Sequence, residues 1–412
     1  RLTMADGAVS EGGSVTLTEG TSFDITASDF DLNTDISSAS GIGEVNVKNT
    51  VQTLDINSDN SAFNGIYNQD AGTVTVNNGA KFFNGTNNIK AGSVIFKNGS
   101  FLNGNNILTN TAAMVIEGGA NLSADSVVNL SGTDSSLSFA SGGTYTLDSS
   151  SLTVTGSGNI NNEGTLNINN GAKVSGFNGK FTQNAGNTVV DNTEFFKGTN
   201  NINKGSVEFK NNAVVSGQNT LSNDASFVVN GGSSFAQGAS VNLNSAASHL
   251  DFNSAASTET ALSIALQGVE GSTVNKDGEG SLNINASQNG FGGKFVQKNG
   301  TTNVSSDFFN SAEIQNGVLN ILANSNISNS AIALAADADM NILADSDINK
   351  TITGNGDIFV GSDSVSPTVN INADQTAFVG TYTQNAGTVN VSNGFFSKTN
   401  NILGGILNFN KA

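Results

Sequence analysis

Apolar and polar residues alternate one by one in many short segments of this chain. Clear examples are residues 74–76 (Val-Thr-Val), 166–168 (Leu-Asn-Ile) and 389–391 (Val-Asn-Val). A two-residue period places successive side chains on opposite faces of a β-strand, so each segment predicts a short strand with one buried face. Clusters of Gly and Asn between the segments predict tight turns. The pattern therefore predicts an all-β protein built from short strands.

One motif recurs four times along the chain, with Phe, Gly, an aromatic residue and Gln at every second position. Its copies begin at residues 63, 177, 291 and 378, which gives separations of 114, 114 and 87 residues. Such a unit is too long for one coil of a solenoid but fits several coils of roughly 20 residues each. We take the motif residues as the structural anchors of the repeat: Phe63, Gly65, Tyr67 and Gln69; Phe177, Gly179, Phe181 and Gln183; Phe291, Gly293, Phe295 and Gln297; Phe378, Gly380, Tyr382 and Gln384.

The recurring aromatic residues favour a parallel β-helix, or β-solenoid, over a sandwich. Phe residues at matching offsets would stack coil upon coil in the interior. Asn residues at turns can bond to their equivalents one coil away, across the strand spacing of about 4.8 Å. We therefore predict an elongated rod in which residues 41–412 form a continuous β-helix. Residues 1–40 would form an N-terminal cap or the first coils.

Composition excludes several classes of function. Among 412 residues, 34 are Asp or Glu and 16 are Lys or Arg, and the net charge of −18 would repel a nucleic-acid backbone. The chain has no Cys, and no apolar run approaches the ~18 residues of a membrane helix. One His and one Arg exclude a multi-His metal site and paired Arg clamps on phosphate. We therefore expect no cofactor, no nucleic-acid partner and no membrane span in this chain.

The single histidine, His249, lies between Ser248 and Asp251. A Ser–His–Asp triad needs three side chains that meet in space with defined roles. Ser248 and His249 are neighbours in a predicted strand, so their side chains would point to opposite faces. We interpret His249 as an ordinary surface residue.

The densest acidic group consists of Asp337, Asp339, Asp345 and Asp347. Asp337 and Asp339 would share one face of a strand, and so would Asp345 and Asp347. Carboxylate oxygens suit Ca²⁺, and β-helical polysaccharide-active enzymes also use sets of carboxylates. We interpret the group as a solvated acidic face, with weak divalent-cation binding and catalysis as the alternatives.

A Phe-Phe pair follows each anchor, at residues 82–83, 195–196, 308–309 and 395–396. Neighbours in a strand face opposite sides, so we expect one ring inside and the other beneath a loop or at a corner. The alternative is an exposed aromatic stripe that mediates self-association or ligand stacking.

Residues 275–284 (Asn-Lys-Asp-Gly-Glu-Gly-Ser-Leu-Asn-Ile), followed by 291–295 (Phe-Gly-Gly-Lys-Phe), resemble the autotransporter-associated β-strand repeat. Residues 369–371, 380–382 and 387–389 resemble it comparably well. The four copies span most of residues 41–412, and residues 1–40 match least. The resemblance implies the passenger segment of a type V secreted bacterial protein. Such passengers are right-handed parallel β-helices at the outer surface, and many act in adhesion or self-association.

We therefore expect an extracellular structural or adhesive stalk at the bacterial surface, and not an enzyme. Its partners would be further copies of itself, or a host or bacterial surface. The net charge opposes lateral packing, so salt or divalent cations should promote association. The alternatives are a subunit of an extracellular filament or sheath assembled head to tail, and a β-helical polysaccharide-active enzyme. Because neither a signal peptide nor the translocator of such proteins is recognisable, we expect a mature or excised fragment, or a relative that is exported differently.

Overall fold

The structure is a computed structural model that describes residues 1–323 and 325–410. The chain forms two compact units, Arg1–Gly205 and Ser206–Ala412. The regular elements are β-strands that pair in parallel, and the two units together contain about 19 turns of a β-solenoid. The predicted fold class is therefore confirmed, whereas the handedness and the division at residue 40 stay predictions. Within the described ranges, no helix is long and apolar enough to cross a membrane.

The first unit is built almost entirely from strands of two to five residues. Its strands are β1 (Leu2–Met4), β2 (Ser14–Leu17), β3 (Ser22–Ile25), β4 (Asp29–Leu32), β5 (Asp35–Ser38), β6 (Glu44–Val47), β7 (Thr53–Ile56), β8 (Ile66–Gln69), β9 (Thr73–Val76), β10 (Thr86–Ile89), β11 (Ser93–Phe96), β12 (Phe101–Leu102), β13 (Asn105–Leu108), β14 (Ala113–Ile116), β15 (Asn121–Leu122), β16 (Val127–Leu130), β17 (Ser136–Phe139), β18 (Thr144–Leu147), β19 (Thr153–Gly156), β20 (Asn159–Asn162), β21 (Thr165–Ile168), β22 (Gly176–Phe177), β23 (Lys180–Gln183), β24 (Asn187–Asp191) and β25 (Thr199–Ile202).

The second unit adds two longer strands, β39 and β40, to the same kind of short element. Its strands are β26 (Ser206–Lys210), β27 (Val214–Val215), β28 (Gln218–Leu221), β29 (Ser226–Asn230), β30 (Ser234–Phe235), β31 (Ser240–Leu243), β32 (His249–Asn253), β33 (Glu259–Leu262), β34 (Gln267–Gly268), β35 (Thr273–Asp277), β36 (Ser281–Ile284), β37 (Lys294–Gln297), β38 (Thr301–Val304), β39 (Ser311–Ile321), β40 (Ala331–Ile342), β41 (Ser346–Ile348), β42 (Thr353–Gly354), β43 (Asp357–Val360), β44 (Thr368–Ile371), β45 (Thr381–Gln384), β46 (Thr388–Val391), β47 (Thr399–Ile402) and β48 (Ile406–Phe409).

Strands from successive coils stack into sheets along the sides of each unit. In the first unit, one sheet runs β1-β3-β6-β8-β10-β13-β16-β19-β22 and a second runs β4-β7-β9-β11-β14-β17-β20-β23-β25. In the second unit, one sheet includes β26-β29-β32-β35-β37-β39, and a separate four-stranded sheet runs β41-β44-β46-β48. Each strand therefore pairs with its equivalent in the next coil, which is the arrangement of a solenoid.

The interior of each unit is filled by alternate residues of its strands. In β11, Val94 and Phe96 are buried, whereas Ser93 and Ile95 face outward. The same alternation recurs in most strands of both units, as the two-residue period predicts. The outward residues do not fill the interior, so a contact along the side of a unit uses them.

Candidate functional site: interior anchors and outward faces

The predicted anchors lie at a repeated corner of the solenoid and in the strand that follows it. Phe63, Tyr67 and Gln69 are fully buried. A Cβ atom on Gly65 would collide with the carbonyl oxygens of Ile42 and Gly43 in the preceding coil, so this corner requires glycine. The other three copies lie in equivalent surroundings: Phe177, Gly179, Phe181 and Gln183; Phe291, Gly293, Phe295 and Gln297; Phe378, Gly380, Tyr382 and Gln384.

The Phe-Phe pairs belong to the same buried cluster. The ring of Phe83 stacks on Tyr67 at 4.8 Å between centroids and meets Phe63 edge-on at 5.5 Å. Phe82 and Phe83 are both fully buried, because they lie in a corner, where strand alternation does not apply. The exposed aromatic stripe is therefore wrong for the first three pairs. Equivalent ring contacts recur between Phe181 and Phe196, Phe295 and Phe309, and Tyr382 and Phe396.

The anchor glutamines tie adjacent coils together with their side-chain amides. Gln69 Nε2 donates to the carbonyl oxygens of Gly72 at 3.0 Å and Ser93 at 3.2 Å, and Ser93 lies one coil further on. Buried carbonyl groups need a donor, which explains a polar side chain in an apolar column. Each of the other anchor glutamines also donates to one nearby carbonyl and to one in the next coil: Gln183 to Gly186 and Lys204, Gln297 to Gly300 and Asn316, and Gln384 to Gly387 and Ile406.

The group that donates a hydrogen bond to the side-chain oxygen of the anchor glutamine differs from copy to copy. The Tyr67 hydroxyl donates to Gln69 Oε1 at 3.0 Å, and burial raises the pKa of that phenol, so it remains a donor. In the second copy, Thr188 takes the place of tyrosine as the donor, at 2.7 Å. In the third copy, Gln297 Oε1 and the Thr302 hydroxyl are both buried without a partner. The glutamine side-chain oxygen therefore lacks a hydrogen bond in the third copy, whereas it accepts one in the other three.

A buried lysine, Lys276, lies beside this third copy in β35. Its side chain is inaccessible to solvent, and its ammonium group donates to the carbonyl oxygens of Asp277 at 2.9 Å and Gly278 at 2.8 Å. A third bond reaches Asn299 at 3.2 Å in the next coil. Burial lowers the pKa of Lys276, and the nearby Asp277 charge opposes that shift. Sequence analysis missed this residue, although its position in the alternating segment Val274–Lys276 placed it on the inward face.

Outward-facing asparagines form hydrogen-bonded ladders. Each amide of Asn46, Asn68 and Asn88 donates toward the preceding coil, and the first donates to Asp24 at 2.7 Å. In the second unit, equivalent ladders comprise Asn283, Asn303, Asn320 and Asn341, and Asp347, Asn370, Asn390 and Asn408. Asparagines also bond from coil to coil at turns, as predicted: Asn57 donates to Asn33 at 3.0 Å and Asn77 donates to Asn57 at 2.7 Å.

Ser248, His249 and Asp251 do not form a catalytic triad. Ser248 is buried and its hydroxyl donates to the Ser245 carbonyl at 2.7 Å, which closes a turn. His249 lies on the outward face, with Nε2 3.4 Å from the carboxylate of Asp251. The serine and the histidine are therefore on opposite sides of the strand, as alternation predicts.

The four clustered aspartates divide between two sheets. Asp337 and Asp339 lie on β40, where Asp339 faces Asp357 of β43, whereas Asp345 and Asp347 lie at β41 of the four-stranded sheet. Burial, and then the Asp357 charge, raise the pKa of Asp339. The chain turns between β40 and β41, which separates the two pairs. No group of three or more His, Cys, Asp or Glu residues suited to a metal ion occurs in the described part of the chain.

Two shallow depressions are lined by carboxylates. One of about 450 Å³ in the first unit includes Glu19 and Glu44, and one of about 290 Å³ in the second unit includes Asp345 and Asp347. In the second, Asp345 accepts a bond from the Thr368 backbone N–H at 2.6 Å.

The fold and these sites define the class of the molecule as a repeat protein of the parallel β-solenoid type. Comparisons with protein-family models, curated proteins and solved structures find no match to this chain.

Proposed function

We propose that the chain is the passenger type of bacterial surface protein and acts outside the cell as a structural or adhesive stalk. The observation that supports this proposal is the separation of roles between inward and outward residues. Aromatic rings and glutamine clamps occupy the interior, and ladders of amides cover much of the exterior. A scaffold held from within leaves its outward residues available for contact.

The proposed mechanism is weak contact repeated many times. Outward Asn, Ser and Thr side chains recur at the strand spacing of about 4.8 Å and offer donors and acceptors without charge. Each contact contributes little, but many parallel contacts between surfaces raise the effective affinity. The partner is a further copy of the chain, or a host or bacterial surface.

The test is aggregation of beads coated with the full chain, measured by light scattering across a series of NaCl and CaCl₂ concentrations. We expect aggregation to rise with salt, because screening reduces repulsion between surfaces of net charge −18. Uncoated beads provide the control. Aggregation that is absent at every salt concentration would overturn the homotypic form of the proposal, and insensitivity to salt would overturn the charge argument.

A second candidate function, head-to-tail assembly into a filament or sheath, is favoured by a different observation. In β47 and β48 and the turn between them, Ile402, Leu403, Ile406 and Phe409 are 44–74% exposed. Such side chains are covered either by further coils of a longer chain or by the first coil of another copy. Negative-stain electron microscopy across a concentration series separates these outcomes, since only the second produces fibres.

A further inference from the structure

One outward face of the first unit carries no ionisable residue over five consecutive strands. The strands are β9, β11, β14, β17 and β20, which pair in this order. Their outward positions form two columns, and we call the surface the neutral face: Thr73, Ser93, Ala113, Ser136 and Asn159 in one column, and Thr75, Ile95, Val115, Ser138 and Asn161 in the other.

The neutral face has an apolar centre and a polar rim. Ile95 and Val115 are directly paired across β11 and β14, and Ala113 lies beside them. Hydroxyl groups surround this centre, and the Ser93 and Thr73 hydroxyls lie 3.4 Å apart. An apolar core within a polar border is the anatomy of a protein–protein contact surface.

Two lysines that flank β11 of the neutral face are paired with acidic residues. Lys90, which precedes β11, contacts Asp70 at 2.8 Å, and Lys97, which follows β11, contacts Glu117 at 2.6 Å. Asp55 on β7 lies beside Thr75, and Lys180 on β23 lies beside Asn159. The exposed Asp134 and Glu163 lie two residues along the chain from Ser136 and Asn161. The ten outward positions of the face themselves carry no charge, so a second copy meets like charges only at its border.

We propose that the neutral face is the docking site for a second copy of this chain, packed face to face. The proposal rests on the proposed function and names the surface that performs it. The partner is the same face, because an apolar centre within a hydroxyl rim is complementary to itself about a twofold axis. Five strands and two columns give a contact of roughly 200 Å² per copy. A stable complex uses about 800 Å² per partner, so single copies associate weakly and dense arrays associate firmly.

The second unit supplies a matched control surface of the same construction. It spans β29, β32, β35, β37 and the start of β39, and we call it the charged face: Ser226, Val228, His249, Asp251, Thr273, Asn275, Lys294, Val296, Ser311 and Glu313. Val228 and Val115 are both half-buried outward valines on four- or five-residue strands. A substitution at one can therefore be compared directly with the same substitution at the other.

The test compares Val115→Lys with Val228→Lys in the bead assay, with the full chain and with thermal unfolding as the measure of folding. Lysine at residue 115 places an unpaired charge in the centre of the contact, so aggregation should fall by about tenfold or more. Lysine at residue 228 lies between Glu208 and Asp251 and should leave aggregation unchanged within about twofold. If Val115→Lys aggregates like the wild type, or if both variants lose aggregation equally, the neutral face is not the contact.

A cross-linking measurement keeps the proposal testable if Val115→Lys folds poorly. The chain has no Cys, so a single introduced thiol reports only its own contacts. Under mild oxidation at high surface density, Ala113→Cys should form disulfide-linked dimers and Thr273→Cys should not, because a disulfide needs Cα atoms within about 7 Å. Equal cross-linking overturns the inference about the face. Failure of wild-type beads to aggregate overturns the proposed function itself.

Discussion

The neutral face and the charged face are built on the same scaffold and differ only in what they present to solvent. Both span five parallel strands with two outward columns, and both rest on buried aromatic contacts, Phe82–Phe96 beneath the neutral face and Phe295–Phe309 beneath the charged face. The neutral face has no ionisable group, whereas the charged face has four: His249, Asp251, Lys294 and Glu313. The comparison teaches that interior packing fixes where outward residues lie without fixing their chemistry. Function in such a fold is therefore decided column by column on the surface.

The largest effect is expected from removing one ring beneath each face. Phe82→Ala and Phe309→Ala should each lower the local free energy of unfolding by about 3–5 kcal/mol, because each leaves a cavity in a fully buried cluster. Phe82 contacts Phe96 of β11, and Phe309 contacts Phe295 of β37. Stability in a solenoid is a sum of neighbouring contacts, so each loss stays near its own coil. Hydrogen exchange measures the loss, and bead aggregation should fall for Phe82→Ala only. Equal loss of aggregation in both variants would contradict the distinction between the faces.

A smaller loss is expected from the buried lysine beneath the charged face. Lys276→Met removes the donor to three partly buried carbonyl groups, and we expect a loss of about 1–3 kcal/mol. Lys276→Gln retains an amide donor and should cost less. Hydrogen exchange in β35 provides the measurement for both. A Met variant as stable as the wild type would mean that the ammonium contributes nothing net to this coil.

Much of the scaffold could be predicted from the sequence, because each cue is local. Alternation located the strands, and the Phe-x-Gly spacing located the repeated corners. The neutral face could not be predicted, since it depends on which residues become neighbours in successive coils. Coil length varies: Asn57 and Asn77 are bonded 20 residues apart, and Asn33 and Asn57 are bonded 24 residues apart. The burial of Lys276 was not predicted for another reason: charged residues are usually exposed, and this lysine occupies an inward column.

Removing the charges from the charged face should create a second contact surface. The combined substitutions His249→Ser, Asp251→Asn, Lys294→Ser and Glu313→Gln retain polar, hydrogen-bonding side chains. We expect bead aggregation to increase severalfold, equivalent to about 1 kcal/mol, because a second uncharged face adds to the first. Unchanged aggregation would show that absence of charge is insufficient and that the apolar centre at Ile95 and Val115 is required.

The smallest effect is a pH dependence confined to the charged face. A hydrogen bond from Lys294, followed by one from Gln315, lowers the pKa of Glu313 in the folded state. A lowered pKa of an acid gives stability that is present above its unfolded pKa and is lost as the pH falls through the folded value. The pair is partly exposed, so solvent screening limits the contribution to a few tenths of a kcal/mol. Glu313→Gln should reduce the loss of stability of β37 and β39 at acid pH. An unchanged dependence on pH would contradict the attribution of this loss to Glu313.

Hydroxyl-radical footprinting of the wild-type chain tests the central claim most directly, since it needs no substitution. Dispersed and aggregated beads would be labelled under the same conditions, and oxidation of outward side chains would be measured by mass spectrometry. The account predicts that Ile95 and Val115 become protected on aggregation, whereas Val228 and Val296 remain as reactive as before. Protection of Val228 and Val296 with Ile95 and Val115 unchanged would contradict it.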